Sequence, residues 1–151
     1  MNRIMNRMVK TLIVLGMAMG VALLAGIFVY VLPNTKTVFS LEGRPEFFTV
    51  AAGILAVLCI ASGEYIGYIL FQMMRSLERD PFVEKNVIAL RRMGFAALFI
   101  TACGLLTLLL RPAPFAVIVA LPVGMCGLFS LVLSGVFSKA VAFKEENDLT
   151  V

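Results

Sequence analysis

FFTVAAGILAVLCIASGEYIGYILF, residues 47–71, is the stretch that decides the fold, because only one of its twenty-five side chains is charged, Glu64. An apolar run of this length crosses a hydrocarbon core of roughly 30 Å when it is helical. A helix also pairs its backbone N–H and C=O groups within the segment, which the interior of a bilayer requires. The stretch therefore predicts a transmembrane helix.

Three more apolar runs accompany this stretch, at residues 11–32, 93–110 and 115–137, and none of them contains a charged residue. Of the 151 residues, 61% are hydrophobic and 15% are charged, whereas soluble domains are about 25% charged. The mean hydropathy of +1.00 agrees with this composition. The sequence therefore predicts an all-α fold, an integral membrane four-helix bundle that forms a single membrane domain over residues 1–151.

The distribution of Lys and Arg predicts the orientation of the four spans. Ten of these residues lie before the first run, in the connection 72–92 or in the tail 138–151, and three lie in segments 33–46 and 111–114. Cytoplasmic loops of membrane proteins carry the excess of Lys and Arg. We therefore expect the N-terminus, the C-terminus, the connection 72–92 and the tail 138–151 to be cytoplasmic.

Glu64, the charged residue within a run, marks a candidate intramembrane polar site. Counting inward from the cytoplasmic ends of the runs places Thr101 and Ser130 at a similar depth, and Tyr68 lies one helical turn away from Glu64. A carboxylate at this depth is costly unless it is paired, protonated or hydrated. The cluster has two interpretations, a proton- or ligand-binding site and a set of hydrogen bonds that holds the helices together.

Two pairs of glycines have the spacing that lets membrane helices approach closely, Gly16/Gly20 and Gly63/Gly67. Two roles fit this spacing. The pairs pack helices within one chain, or they join two copies of the chain in a homo-oligomer.

The composition argues against an enzyme. The sequence contains no His, the commonest general base and metal ligand. Cys59, Cys103 and Cys126 lie in apolar runs without CxxC spacing, so we expect buried, small apolar side chains rather than disulfides or metal ligands. The sequence also contains no phosphate-binding glycine loop. It therefore predicts no cofactor and no metal site.

The connection 72–92 and the tail form a candidate docking face for a soluble partner. Asp80-Pro81 predicts an N-cap followed by Pro at the first helical position, so that an amphipathic helical segment runs into the third span. The alternative is a solvated loop with snorkelling cations and a frayed tail. The candidate docking residues are Pro81, Phe82, Asn86, Arg91, Arg92, Glu145, Glu146 and Asp148.

Two stretches on the predicted cytoplasmic side resemble a known family, PFVEKNVIALRRMG at residues 81–94 and FKEENDLTV at residues 143–151. The family is a bacterial one of small four-helix membrane proteins of unknown function, whose members carry a Pro-Phe…Asn-x-x-x-Leu-Arg stretch before the third helix and a closely similar acidic tail. Such proteins are often encoded beside a small helix-turn-helix regulator. The resemblance implies a multi-pass protein of the bacterial inner membrane with a DNA-binding regulator as its partner.

These observations support two functional hypotheses. In the first, the chain binds or restrains a cytoplasmic partner such as a helix-turn-helix regulator, without contacting nucleic acid itself. In the alternative, it is a small transporter or channel subunit in which Glu64 binds a proton or a ligand. A Glu64 side chain that faces lipid or is sealed against Ser130 favours the first hypothesis, whereas a water-accessible cavity at Glu64 favours the second.

Overall fold

In the computed structural model the chain is all-α, and the structure describes residues 3–31, 33, 46–77, 82–110 and 114–149. The α-helices are α1 (Arg3–Gly26), α2 (Glu46–Leu77), α3 (Glu84–Leu110) and α4 (Pro114–Leu149), and a π-helical segment, Ile27–Val31, continues α1. Each of the four helices contains a segment that is long and apolar enough to cross a membrane, which agrees with the predicted four spans.

All four helices extend beyond the apolar runs from which they were predicted, and they do so at the same end, where α1 begins at Arg3, eight residues before its run. The helix α2 continues to Leu77, α3 begins at Glu84 and α4 continues to Leu149. Hydropathy locates only the apolar part of a helix, so it ends the predicted span where charged residues begin. The connection 72–92 and the tail 138–151 are therefore largely helical in their described parts.

The predicted start of α3 at Asp80-Pro81 is wrong, because the helix begins at Glu84. Phe82 and Val83 form a bend before it, and the backbone N–H of Asn86 donates to the carbonyl of Val83 at 2.9 Å. This bond closes a turn at the helix start and leaves Phe82 outside the helix. Asp80 and Pro81 themselves lie outside the described residues.

The helices pack mainly on their neighbours in the chain. The contact between α3 and α4 is the most extensive, followed by those between α2 and α3 and between α1 and α2. Two hydrogen bonds set the antiparallel register of α3 and α4. The Ser130 hydroxyl donates to the carbonyl of Leu90 at 2.8 Å, and the Ser134 hydroxyl donates to that of Val87 at 3.1 Å.

Burial is concentrated at the end where α2 finishes, α3 begins and α4 passes both. Five of the eight buried apolar side chains among the described residues lie there: Ile69, Met74, Val87, Leu90 and Val141. By contrast, none of the apolar segment of α1 is buried within the protein. Because lipid tails are as apolar as these side chains, α1 does not need to be buried against other helices. At the buried end, by contrast, the packing of α2, α3 and α4 removes apolar surface from water, which stabilises their contact.

The three cysteines differ in their surroundings. Cys103 is buried and Cys59 is half-buried, with its Sγ 4.0 Å from the carbonyl oxygen of Ile100. Cys126 is exposed, so the expectation of burial is wrong for this residue. It lies between Gly124 and Gly127, which face α3, on the side of α4 that points away from the protein. In a membrane helix the lipid-facing side and the side packed on protein are both apolar, so the sequence pattern does not distinguish them.

Candidate functional site

Glu64 lies at the contact between α1 and α2, where its half-buried side chain lines a cavity of about 400 Å³. The other described residues that line this cavity are glycines, aliphatic residues and Met17. A β-carbon placed on Gly20 of α1 would coincide with the Glu64 carboxylate. The carboxylate therefore occupies the space that the absence of a side chain at Gly20 leaves open.

The other residues of the predicted polar site lie elsewhere. The Thr101 hydroxyl is 3.0 Å from the carbonyl of Ala97 and 3.2 Å from that of Ala120, and Ser130 bonds to Leu90, so both belong to the α3–α4 contact. The Tyr68 hydroxyl accepts a hydrogen bond from Nε2 of Gln72 on the exposed side of α2. The structure thus does not bring Thr101 and Ser130 together with Glu64. Ser130 is level with Leu90, and Thr101 lies eleven residues further along α3, roughly 16 Å away, so counting residues gave neither the depth nor the face of these side chains.

Both glycine pairs lie within the chain, at the contact between α1 and α2. A β-carbon on Gly67 would approach Cγ of Met17 to 3.0 Å, and Gly16 and Gly63 line the cavity beside Glu64. Gly20 and Gly67 therefore serve intrachain packing, whereas Gly16 and Gly63 are exposed and a β-carbon on either has no neighbour within 4 Å. The role of the pairs in a homo-oligomer stays a prediction.

The candidate docking residues of the connection divide into buried and exposed ones. Asn86 is 1% exposed, so its side chain does not reach a soluble partner and instead belongs to the packed end of the protein. Phe82 is 44% exposed, and its ring lies 5.9 Å from that of Phe137 at an interplanar angle of 32°. This ring pair joins the bend before α3 to α4. Arg91 and Arg92 are both exposed, and Pro81 lies outside the described residues.

A groove of about 920 Å³ runs between the end of α2 and the start of α3. Three cationic side chains line it, those of Arg75, Lys85 and Arg92, while Arg91 does not. None of the described lining residues is acidic. Arg75 and Lys85 were missed as site residues from the sequence. They could have been predicted by pairing the second and third helices antiparallel across the connection, because this pairing places residues near the two helix ends side by side.

The tail residues lie on the final turns of α4 rather than on a frayed end. Glu145 and Glu146 are exposed there, and the backbone of Asp148 belongs to the same helix. Ser130 is level with Leu90, next to Arg91, and Glu145 follows Ser130 by fifteen residues, or roughly 22 Å of helix. The tail carboxylates and the pair Arg91 and Arg92 are therefore at different heights and do not form one compact face.

Comparison with known proteins identifies one family. The family model described as a protein of unknown function (DUF2975) matches residues 42–151, well over half of the chain. The matched region contains both stretches that carry the resemblance, and it includes α2, α3 and α4 in full. None of the curated proteins and none of the solved structures with which the chain was compared matches it.

Proposed function

The chain belongs to DUF2975, a family of unknown function, and from its own geometry we propose that it is a multi-pass protein of the bacterial inner membrane that binds a soluble cytoplasmic protein through the end of α4. The projecting helical end of α4 is the observation that carries this proposal. The surface that we assign to the partner comprises residues 138–149 and is called the α4 extension below.

The charge distribution supports a cytoplasmic position for the α4 extension. The extension lies at the same end as the start of α1, the end of α2 and the beginning of α3 if the four helices cross the membrane in alternating directions. That end carries most of the Lys and Arg of the chain. The positive-inside rule then assigns it to the cytoplasm.

The α4 extension offers a side chain arrangement suited to a protein partner. Val141 is buried against the rest of the chain, whereas Phe143 is 67% exposed. Two residues correspond to about 200° around a helix, so Phe143 points away from the protein. Aromatic side chains, Phe included, are enriched in protein interfaces, so we assign Phe143 as the anchor residue of this surface. The helix reaches roughly 18 Å past Phe137 at 1.5 Å per residue.

The last turn of the α4 extension, residues 145–149, carries only acidic charges, which favour a basic partner. Glu145 and Glu146 are exposed on it, and Asp148 adds a third carboxylate to the same turns. A helix-turn-helix regulator presents a basic surface to DNA, and carboxylates on the α4 extension complement such a surface. Binding there would hold the regulator at the membrane and keep it from DNA. The same carboxylates would repel nucleic acid, so we do not expect the end of the α4 extension itself to bind it.

The experiment is capture of a purified helix-turn-helix regulator from the same organism by the full-length protein in detergent. We expect the double variant Glu145→Gln, Glu146→Gln to lower capture at least tenfold, and Phe143→Ala to lower it similarly. Glu84→Gln is the matched control, because Glu84 is an exposed carboxylate at the same end of the protein but outside the α4 extension. Equal capture by all of these variants and the parent would refute the α4 extension as the docking surface.

The cavity at Glu64 favours a second candidate function, a small transporter or channel subunit. Glu64 is not sealed against Ser130, which bonds to Leu90 instead, and it lines an open space between α1 and α2. Glu64→Gln separates this function from a structural role, because an amide keeps the shape of the side chain but does not titrate. Loss of a proton-driven flux in a variant that folds normally would establish transport. Unchanged flux would leave Glu64 with a packing role.

A further inference from the structure

The groove between α2 and α3 concentrates positive charge where the helices leave the predicted membrane. Arg75, Lys85 and Arg92 line it, and none of the described lining residues is acidic. From this geometry we propose that the groove binds the phosphate of an anionic phospholipid. The inference rests on the membrane placement in the proposed function but not on the partner assigned to the α4 extension.

The register of α2 and α3 gives the depth of each cation. Cys59 of α2 lies beside Ile100 of α3, so Arg75, sixteen residues after Cys59, is level with Lys85, fifteen residues before Ile100. Arg92 follows Lys85 by seven residues, which is two helical turns or roughly 10 Å. The three cations therefore form a column along the groove rather than a ring at its mouth.

The depth of this column favours a lipid over a soluble anion. Arg92 is about level with Ile69, which lies inside the apolar run 47–71 and also lines the groove. The headgroup layer on each side of a bilayer is roughly 5–8 Å thick. The column begins inside the end of the apolar run and reaches Arg75, four residues or roughly 6 Å beyond it, so it extends from the hydrocarbon boundary into the layer in which lipid phosphates lie.

The remaining lining suits the other parts of a phospholipid. Ile69, Met73 and Ala89 provide apolar contacts for the glycerol and the first acyl carbons, and Gln72 and Ser76 provide polar groups toward the outer end. Guanidinium groups bind phosphate through paired N–H donors, and basic pockets between membrane helices on the cytoplasmic side are known to hold anionic headgroups. The groove thus offers phosphate-binding cations and apolar contacts within one lining.

Binding of phosphatidylglycerol to the detergent-solubilised full-length protein, measured by native mass spectrometry, tests the assignment. Phosphatidylcholine serves as the neutral lipid, and inorganic phosphate in excess serves as the competing free anion. Each cation near anionic lipid contributes about 1 kcal/mol, or about a fivefold change in affinity. We therefore expect Arg92→Gln to weaken phosphatidylglycerol binding about fivefold and Arg75→Gln, Arg92→Gln together about twenty-five-fold.

Arg91→Gln is the matched control, because Arg91 is exposed and adjacent to Arg92 but does not line the groove. We expect less than a twofold effect from it, and Lys85→Gln provides a third groove variant should the double variant fail to fold. Equal losses in Arg91→Gln and Arg92→Gln, or equal binding of phosphatidylcholine, would overturn the assignment by showing diffuse attraction only. Displacement of phosphatidylglycerol by inorganic phosphate would overturn the lipid as the occupant. Capture of the regulator by the Arg92→Gln variant tests the α4 extension independently of the lipid assignment, because Arg92 lies outside that extension.

Discussion

Gly94 of α3 and Gly127 of α4 lie against each other where the two helices pack. A β-carbon on Gly94 would stand 3.0 Å from the carbonyl oxygen of Gly127, and one on Gly127 would stand 3.1 Å from the carbonyl oxygen of Gly94. The two backbones are thus in near contact, an approach that only small residues permit. Gly104 beside Ala120 and Gly124 beside Thr101 continue the same close contact along the helices.

Gly94→Ala should destabilise the protein because the new methyl group meets Cγ of Leu131 at 2.6 Å as well as the backbone of Gly127. Gly135→Ala is the control, since a β-carbon there has no neighbour within 4 Å and alanine improves helix propensity. We expect the two variants to differ by about 1–3 kcal/mol in free energy of unfolding. Unfolding in detergent, followed by circular dichroism, measures the difference, and equal stabilities would contradict the close contact.

Ser134→Ala should cost about 0.5–1 kcal/mol, the scale of an interhelical hydrogen bond in a membrane protein. Ser134 is 2% exposed and its hydroxyl reaches the carbonyl of Val87. Ser138, one turn further along α4, is exposed, so Ser138→Ala controls for the change in helix propensity. The same unfolding measurement applies. A Ser138→Ala variant that loses as much stability as Ser134→Ala would show that the hydrogen bond contributes nothing.

Gly20 and Glu64 should be energetically coupled, because a β-carbon on Gly20 takes the place of the Glu64 carboxylate. We expect Gly20→Ala to destabilise the parent by about 1 kcal/mol more than it destabilises the Glu64→Ala variant. Gly16→Ala is the control, since nothing lies within 4 Å of a β-carbon there. A double-mutant cycle of unfolding free energies gives the coupling, and a value of zero would place the two residues apart.

The orientation of the spans predicts the behaviour of reporter fusions. Fusions at Asn34 and Pro112 should report an external position, and fusions at Glu78 and Val151 a cytoplasmic one, because the cytoplasmic segments carry ten of the thirteen Lys and Arg residues. Alkaline phosphatase and fluorescent-protein fusions read the two sides. An external signal at Val151 would disprove the charge argument, through either an odd number of spans or the reverse orientation of all four.

The number and type of the helices could be predicted from the sequence, because an apolar run of sufficient length has few structures available in lipid. Their ends at the charged side could not, since helix α4 continues for twelve residues past Phe137. Hydropathy reports where a helix meets water rather than where it stops. The packed end formed around Asn86 and Ser134 therefore escaped the sequence analysis.

The site residues were harder to predict because their grouping depends on which face of each helix meets its neighbour. The structure overturns the predicted common depth: Glu64 faces α1, whereas Thr101 and Ser130 serve the α3–α4 contact at heights roughly 16 Å apart. Apolar side chains cover the lipid-facing and protein-facing sides alike in a membrane helix, so hydrophobic periodicity carries little information on orientation. The small residues are more informative, since Gly94 and Gly127 mark the actual contact.

The helix α1 packs chiefly on α2, and its apolar segment is unburied. Lateral departure of α1 into the bilayer would therefore break few interactions and leave the contacts among α2, α3 and α4 intact. In a two-stage view, in which helices insert first and associate later, the α3–α4 hairpin is the nucleus of assembly. The first helix, α1, then joins last, and it anchors the chain in the membrane more than it stabilises the packing of the other three helices.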